Sequence, residues 1–222
     1  MRIAVISCDK YRDAWRPFFA LFARFWTHCE HERFLLTDRL RDGCDLGVNW
    51  SYFERADHWG EILREFSGVF DDDSILLLQE DFFLNAPVDE SRIAQALDIL
   101  ARRGVGMVRL YPCPGMEGRD AFNRVPRGAA YRISCQASIW KPHFLHRIAL
   151  AIRHPWEFEI EGTRLAESLP EEVYAFNREL SAWPIQYLCS AISRGKWTQG
   201  ARELCAREAI DVDWTKRELE CV

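Results

Sequence analysis

The sequence has no long apolar run, no basic block and no clustered cysteines, and each absence removes a class of protein. No uncharged stretch approaches the ~18–20 apolar residues that span a bilayer, so no transmembrane segment is expected. Lys and Arg are dispersed and the formal net charge is −5, so the footprint of a nucleic-acid partner is missing. The eight cysteines (Cys8, Cys29, Cys44, Cys113, Cys135, Cys189, Cys205 and Cys221) show no C-x-x-C and no paired spacing. Zinc sites want clustered pairs and disulfide frameworks want small secreted chains, so these read as reduced thiols of a cytoplasmic protein. The run Met1–Asp9 is too short for a signal peptide. No Gly-rich loop follows that first apolar run. This argues against a dinucleotide-binding Rossmann domain, a methyltransferase of similar layout and a P-loop enzyme. A sugar-1-phosphate nucleotidyltransferase, Gly- and Arg-rich at this point, is disfavoured too.

What is present is an ordinary globular balance, 48% hydrophobic and 28% charged, in 222 residues, which fits a single domain spanning 1–222. Nine Trp and fourteen Phe exceed what a minimal core needs. Arg2–Ser7 reads as a buried strand, followed by a helix carrying Phe18, Leu21, Phe22, Phe25 and Trp26, with Asp13 and Pro17 as start signals. A strand is expected over Arg33–Thr37, then turn chemistry over Asp38–Ser51 with Asp42-Gly43 and Asn49. A helix from near Asp57 carries Trp59, Ile62, Leu63, Phe66 and Phe70, and Ile75–Gln79 is the clearest strand. Then come a helix over Asp89–Arg103, a strand over Val105–Tyr111, a Pro- and Gly-bearing loop over Pro112–Arg127, a strand over Tyr131–Trp140 and a helix over Pro142–Ile152. Pro155–Gly162 fits strand or helix start. A long helix is expected over Glu171–Ser193, kinked at Pro184, and a last one over Gln199–Ala209. The alternation predicts an α/β fold, a three-layer α/β/α sandwich with a mostly parallel sheet and a helical C-terminal segment.

Acidic clusters flank the strand Ile75–Leu78. Ligands of open α/β sheets bind at the carboxyl ends of the strands. Asp71-Asp72-Asp73 precedes the strand and reads as a solvated turn at the far edge, whereas Glu80-Asp81 emerges at the functional end, tied to the core by Phe82-Phe83. Hard divalent cations such as Mg²⁺ or Mn²⁺ take one or two such carboxylates, with a diphosphate supplying further oxygens. A solvated strand end is the plain alternative. His28-Cys29-Glu30-His31 and the His143/His146 pair are poor metal candidates, the first overlapping a helix end and the second a surface-like pair.

Arg2–Asp9, the helix with Trp59, and the run Ile75-Leu76-Leu77-Leu78-Gln79-Glu80-Asp81-Phe82-Phe83-Leu84 resemble glycosyltransferases of the GT-A fold. Tyr131–Trp140, Pro155-Trp156-Glu157-Phe158-Glu159 and Arg194-Gly195-Lys196-Trp197 follow in an order similar to bacterial polysaccharide-type members. The resemblance implies a nucleotide- and metal-binding half over 1–111 and an acceptor-side half over 112–222. It implies base and ribose contacts from Ser7, Cys8 and Asp9, with Tyr11 stacking on the base, and an acidic D-x-D-like motif for metal and diphosphate. Gln79 stands at the first motif position, able to bond a ribose hydroxyl but a weak metal ligand, which leaves Glu80 and Asp81, with Asp81 the metal ligand. Asp9 can equally cap the next helix.

An inverting transferase needs a base beside the acceptor hydroxyl, a retaining one does not, and the sequence leaves both open. The resemblance places such a base in Pro155–Gly162, where Glu159 is the first candidate and Glu157 the second, with helix capping as the rival use. Trp156 and Phe158 would desolvate that acid and raise its pKa. Gln136 is a candidate for sugar hydroxyls, with Trp140 and Trp156 as ring platforms. Arg194 and Lys196 are within reach of a diphosphate or serve as helix-end charges. Most of the aromatic surplus sits at helical core spacing; Tyr11, Trp50, Trp140, Trp156 and Trp197 lie instead around the expected cleft. The expected function is transfer of a sugar from a nucleotide-diphosphate sugar to a saccharide or lipid-linked saccharide hydroxyl, with a divalent metal. The expected location is the cytoplasm, peripheral to the inner membrane surface where the acceptor is lipid-linked. The alternative is a catalytically silent GT-A module that binds a nucleotide sugar or a partner enzyme.

Overall fold

The structure, a computed structural model, describes residues 1–38, 58–70, 73–181, 183–188 and 190–220, and the backbone of 50–54. The expected turn at Asp42-Gly43 and Asn49, the helix start at Asp57, and the side chain of Trp50 lie outside the described residues. Asp71 and Asp72 do as well.

The chain begins with β1 (Arg2–Ile6), a short 3₁₀ turn over Asp9–Tyr11 and α1 (Arg12–Phe25). It continues through β2 (Glu32–Thr37), β3 (Trp50–Glu54), α2 (Trp59–Val69), β4 (Ile75–Gln79) and α3 (Glu90–Ala101). Then follow β5 (Val105–Arg109), β6 (Phe122–Arg124), β7 (Ser138–Trp140), α4 (Pro142–Ala149) and α5 (Pro155–Ser168). The last elements are β8 (Glu172–Phe176), β9 (Ile192–Ser193), β10 (Lys196–Trp197) and α6 (Gln199–Arg207).

One eight-stranded sheet has the order β3-β2-β1-β4-β7-β5-β8-β6. β7 and β6 run antiparallel to their neighbours and the other pairings are parallel. Successive strand residues point to opposite faces. Ile3, Val5, Leu76 and Leu78 therefore join α1, α3 and α6 on one face, while Ala4, Ile6, Ile75 and Leu77 join α2, α4 and α5 on the other. Both faces are covered, so the strands read as continuous apolar runs. The three-layer α/β/α expectation is met.

Three local expectations change. Pro17 lies inside α1, not at its start. The strand expected over Tyr131–Trp140 shrinks to β7. Tyr131 is left-handed (φ 53°), and the amides of Ile133 and Cys135 bond side chains of α5, Thr163 and Glu159, rather than a ladder. The helix expected over Glu171–Ser193 is β8, an irregular stretch through Pro184, and β9. β8 is sandwiched between β5 and β6, with Val173 and Ala175 buried on one face and Tyr174 and Phe176 packed on the other. With both faces apolar, no period-two alternation marks it as a strand. The C-terminal segment is accordingly less helical than expected, with α6 its one α-helix among the described residues.

Candidate active site

A cleft of about 800 Å³ opens at the carboxyl ends of β1 and β4. Its floor comes from the residues after those strands: Ser7, Cys8, Lys10 and Tyr11 from one, Gln79, Glu80, Asp81 and Phe82 from the other. The N-termini of α2 (His58, Trp59) and α5 (His154, Pro155, Trp156) form one wall, together with Glu159, Cys135 and Gln136. Ser190, Ile192, Arg194 and Gly195 close the opposite side. Parallel β1 and β4 place their ends level, since Ile6 pairs with Gln79, and that brings the two segments together. Asp73, at the other end of β4, pairs with Arg2 at 3.8 Å, away from the cleft.

Glu80 and Asp81 follow β4 directly. Glu80 is buried, and burial together with the Asp81 charge pushes its pKa up, with Arg217 opposing. Asp81 is pushed up to about 6 by burial, against the Ser190 hydroxyl, which donates to Oδ2 at 2.5 Å. Its Oδ1 is buried without a hydrogen-bond partner among the described residues. Asp81 is held from two sides. Ala191 N–H donates to the Asp81 carbonyl at 2.9 Å and Leu188 N–H to that of Phe83 at 3.0 Å, laying Leu188 and Ala191 beside the motif. Beneath it Phe82 stacks on Tyr187 (4.5 Å) and Tyr187 on Tyr111 (4.2 Å).

The two acids of α5 separate. Glu157 accepts the amides of Arg153 (2.7 Å) and His154 (3.2 Å), closing a capping box. Those bonds lower its pKa, against the expected rise. It does not line the cleft and its carboxylate is committed to the helix end. Glu159 does line it; Oε1 accepts the Cys135 amide at 2.9 Å, and Oε2 has no hydrogen-bond partner among the described residues. The carbonyl of Cys135 in turn accepts from Gln79 Nε2 at 3.5 Å, so the backbone of this one residue links the motif to Glu159.

The remaining expected residues divide as well. Cys8 and Tyr11 line the cleft, each with its pKa raised by burial and by Glu80. The Arg217 guanidinium covers the Tyr11 ring at 4.5 Å while donating to both oxygens of Asp13 (2.7 Å each) and to the Lys10 carbonyl (2.6 Å). Arg217 thus fastens the turn after β1. The Ser7 hydroxyl is engaged by Trp15 Nε1 at 2.7 Å and its N–H donates to the Leu36 carbonyl at 2.9 Å, so Ser7 lines the cleft with its donor groups already committed. Asp9 lies outside the cleft, in the neighbouring groove, its amide donating to Asp38 at 2.8 Å. Gln136 lines the cleft, oriented by the Tyr187 hydroxyl at 2.7 Å. Trp156 is 76% exposed at the rim. Trp140 is not a platform: it is 0% exposed, packed on Phe144 and Phe158, because β7 runs in the middle of the sheet. Trp197 is likewise fully buried.

Lys10, His58, Arg153, His154 and Ser190 were not foreseen. His58 and His154 are helix N-caps, a position usually held by Ser, Thr, Asp or Asn. Ser190 lay inside an expected helix. Among the described residues no group of three or more His, Cys, Asp or Glu is arranged to hold a metal. The unpartnered, buried Oδ1 of Asp81 beside Glu80 fits a hard divalent cation whose other ligands are water and diphosphate oxygens.

The fold is a mixed, mostly parallel α/β sheet with helices on both faces, and solved structures share it. No family model matches the sequence, and no curated protein does. Among solved structures the chain is similar to a CMP:2-keto-3-deoxy-manno-octonic acid synthetase complexed with CTP, at 10% identity and TM-score 0.54 over 94% of this chain and 98% of that one. It also matches a protein assigned as a nucleotide-diphospho-sugar transferase from Desulfovibrio desulfuricans G20 (14% identity, TM-score 0.49, 80% of each chain). A cytidylyltransferase from Leptospira borgpetersenii serovar Hardjo-bovis follows at 13% identity and TM-score 0.48, over 80% of this chain and 76% of that one. At 10% identity the likeness to the synthetase defines the fold alone. No helix among the described residues is long and apolar enough to cross a membrane.

Proposed function

We propose that the protein is a GT-A-type glycosyltransferase that moves a sugar from a nucleotide-diphosphate sugar to a hydroxyl acceptor. One observation carries the reading: a single cleft holds Asp81, with a buried unpartnered oxygen, and Glu159, with a carboxylate oxygen free of protein partners among the described residues. The nucleotide lies over the ends of β1 and β4, against Cys8 and Tyr11, with Ser7 beneath. Gln79 and Glu80 lie beside the ribose and diphosphate. Asp81, with Glu80, would hold Mg²⁺ or Mn²⁺, which when bound supplies neutralisation of the departing diphosphate. Glu159 takes the proton of the acceptor hydroxyl as that oxygen bonds to the anomeric carbon. The bond from that carbon to the phosphate oxygen breaks, its electron pair leaves with the diphosphate, and the configuration inverts. Cys135 N–H holds the Glu159 carboxylate in place, and Gln136 and Trp156 form the acceptor side. A saccharide acceptor, free or lipid-linked, suits an exposed Trp ring beside a polar amide.

The test is calorimetry and donor hydrolysis with UDP- and GDP-sugars, with and without Mn²⁺. Metal-dependent binding lost in Asp81→Ala, with slow donor hydrolysis by the wild type, is the expected result. Absence of any nucleotide binding sinks the proposal. Binding with no hydrolysis and no transfer to any saccharide acceptor favours the silent module, for which Gln79 in place of an acidic residue is the motive.

A further inference from the structure

The cleft adjoins a second, charged groove of about 960 Å³, and the residues common to both are Lys10, Arg194 and Gly195. Most cations of the groove are neutralised. Arg217 pairs with Asp13 (2.7 Å), Lys196 with Glu218 (2.8 Å), Lys216 with Asp213 (3.7 Å) and Arg16 with Asp211 (3.9 Å). Lys10 and Arg194 differ: among the described residues neither side chain has a hydrogen-bond or ion-pair partner, although Glu80 and Asp81 line the same cleft.

Arg194 occupies an expensive position. β9 and β10 pair antiparallel with Ser193 opposite Lys196, so Arg194-Gly195 is a two-residue hairpin turn, with φ 50° and 80°. Such turns favour Asn-Gly, because a side chain in the left-handed region is strained. An arginine kept there, exposed and unpartnered at the junction of two cavities, is a charge held out for something else. Strained residues of this kind gather at ligand clamps. The N-termini of α2 and α5 end on the same cleft and add their positive dipole ends.

We propose that Arg194 and Lys10 form an anion clamp that takes a diphosphate, the β9–β10 hairpin presenting the arginine and the turn after β1 the lysine. Naming that diphosphate as the donor's rests on the proposed function; the clamp itself does not. It divides the work at the leaving group, with the two cations on the outer oxygens and the Asp81 side toward the floor of the cleft.

Inorganic pyrophosphate is the probe, titrated into the full chain in EDTA so that no divalent ion contributes. Arg194→Asn suits the turn and keeps the fold, which a melting temperature at or above that of the wild type verifies. The clamp predicts that pyrophosphate affinity falls ~10–100-fold in Arg194→Asn, falls again on adding Lys10→Gln, and drops with rising salt. Arg194→Lys retains part of it. Equal pyrophosphate affinity in wild type and Arg194→Asn, or none in the wild type, overturns the clamp. Arg194-dependent pyrophosphate binding with no tighter binding of UDP, GDP or CDP keeps the clamp and overturns its assignment to a nucleotide donor.

Discussion

Glu157 and Glu159 stand two residues apart in the first turns of α5, yet their carboxylates reach different partners. Glu157 turns back onto the amides of Arg153 and His154, whereas Glu159 reaches the amide of Cys135 at the cleft. Glu159→Gln is therefore expected to lower kcat by ~10²–10⁴, the usual worth of a general base. Glu157→Ala lowers the melting temperature and leaves kcat unchanged. Glu157→Gln, which still completes a capping box, restores stability. A kcat loss in Glu157→Gln matching that of Glu159→Gln would refute the division. Asp81 gives a pH test. Its pKa rises from 3.8 unfolded to about 6 folded, so the native state binds the extra proton between those values. Stability from this group is present below pH ~4 and lost as pH rises toward ~6. Asp81→Asn should gain stability over the wild type at pH 8 in EDTA, and the gain should shrink as the pH falls through that window. Denaturant titrations at several pH values read it, and a constant difference across pH contradicts the burial of this charge. Of these residues, Glu80, Asp81 and Glu159 were legible because short acidic motifs mark strand ends and helix starts. The Trp140 platform was not, since burial depends on strand order.

At the scale of elements, α2 positions Trp59 and His58 at the cleft by packing against the end of α4. Gly60 makes that approach possible: a Cβ there would lie 1.9 Å from the Ile152 carbonyl oxygen. Gly60→Ala is expected to cost ~1–3 kcal/mol in unfolding free energy, as overpacking does, and to weaken ligand binding with it. Wild-type stability in that variant would show that the helices separate freely. Helices with one apolar face were readable from their period, as α1, α2 and α3 show. β8 was not. Its residues are apolar on both faces, and Val173, Ala175 and Phe176 alone do not distinguish a period of two from one of 3.6.

At the scale of the molecule, the stretches 1–111 and 112–222 contribute strands to one sheet. β7 enters the sheet between β4 and β5, and β8 and β6 extend it beyond β5. A fragment of residues 1–111 would lack the strand that joins its own β4 to β5. It is expected to stay unfolded by circular dichroism and amide exchange, and the full chain to unfold in one transition. An independently folded fragment would refute this. Buried Arg109 reinforces the join: from β5 it donates to the carbonyls of Tyr131 (2.7 Å) and Arg132 (2.9 Å), and to that of Pro114.

The sequence by itself determined the covered parallel sheet, because apolar strand runs and amphipathic helices are local properties of the chain. It determined the acidic motif after β4 for the same reason. Only the tertiary structure decided which polar side chains share the cleft. That outcome depends on strand order and on loop closures between residues more than a hundred positions apart, as with Asp81 and Ser190. The charges left unpaired there among the described residues, Arg194 and Lys10, are visible once most other cations of the groove have found their partners.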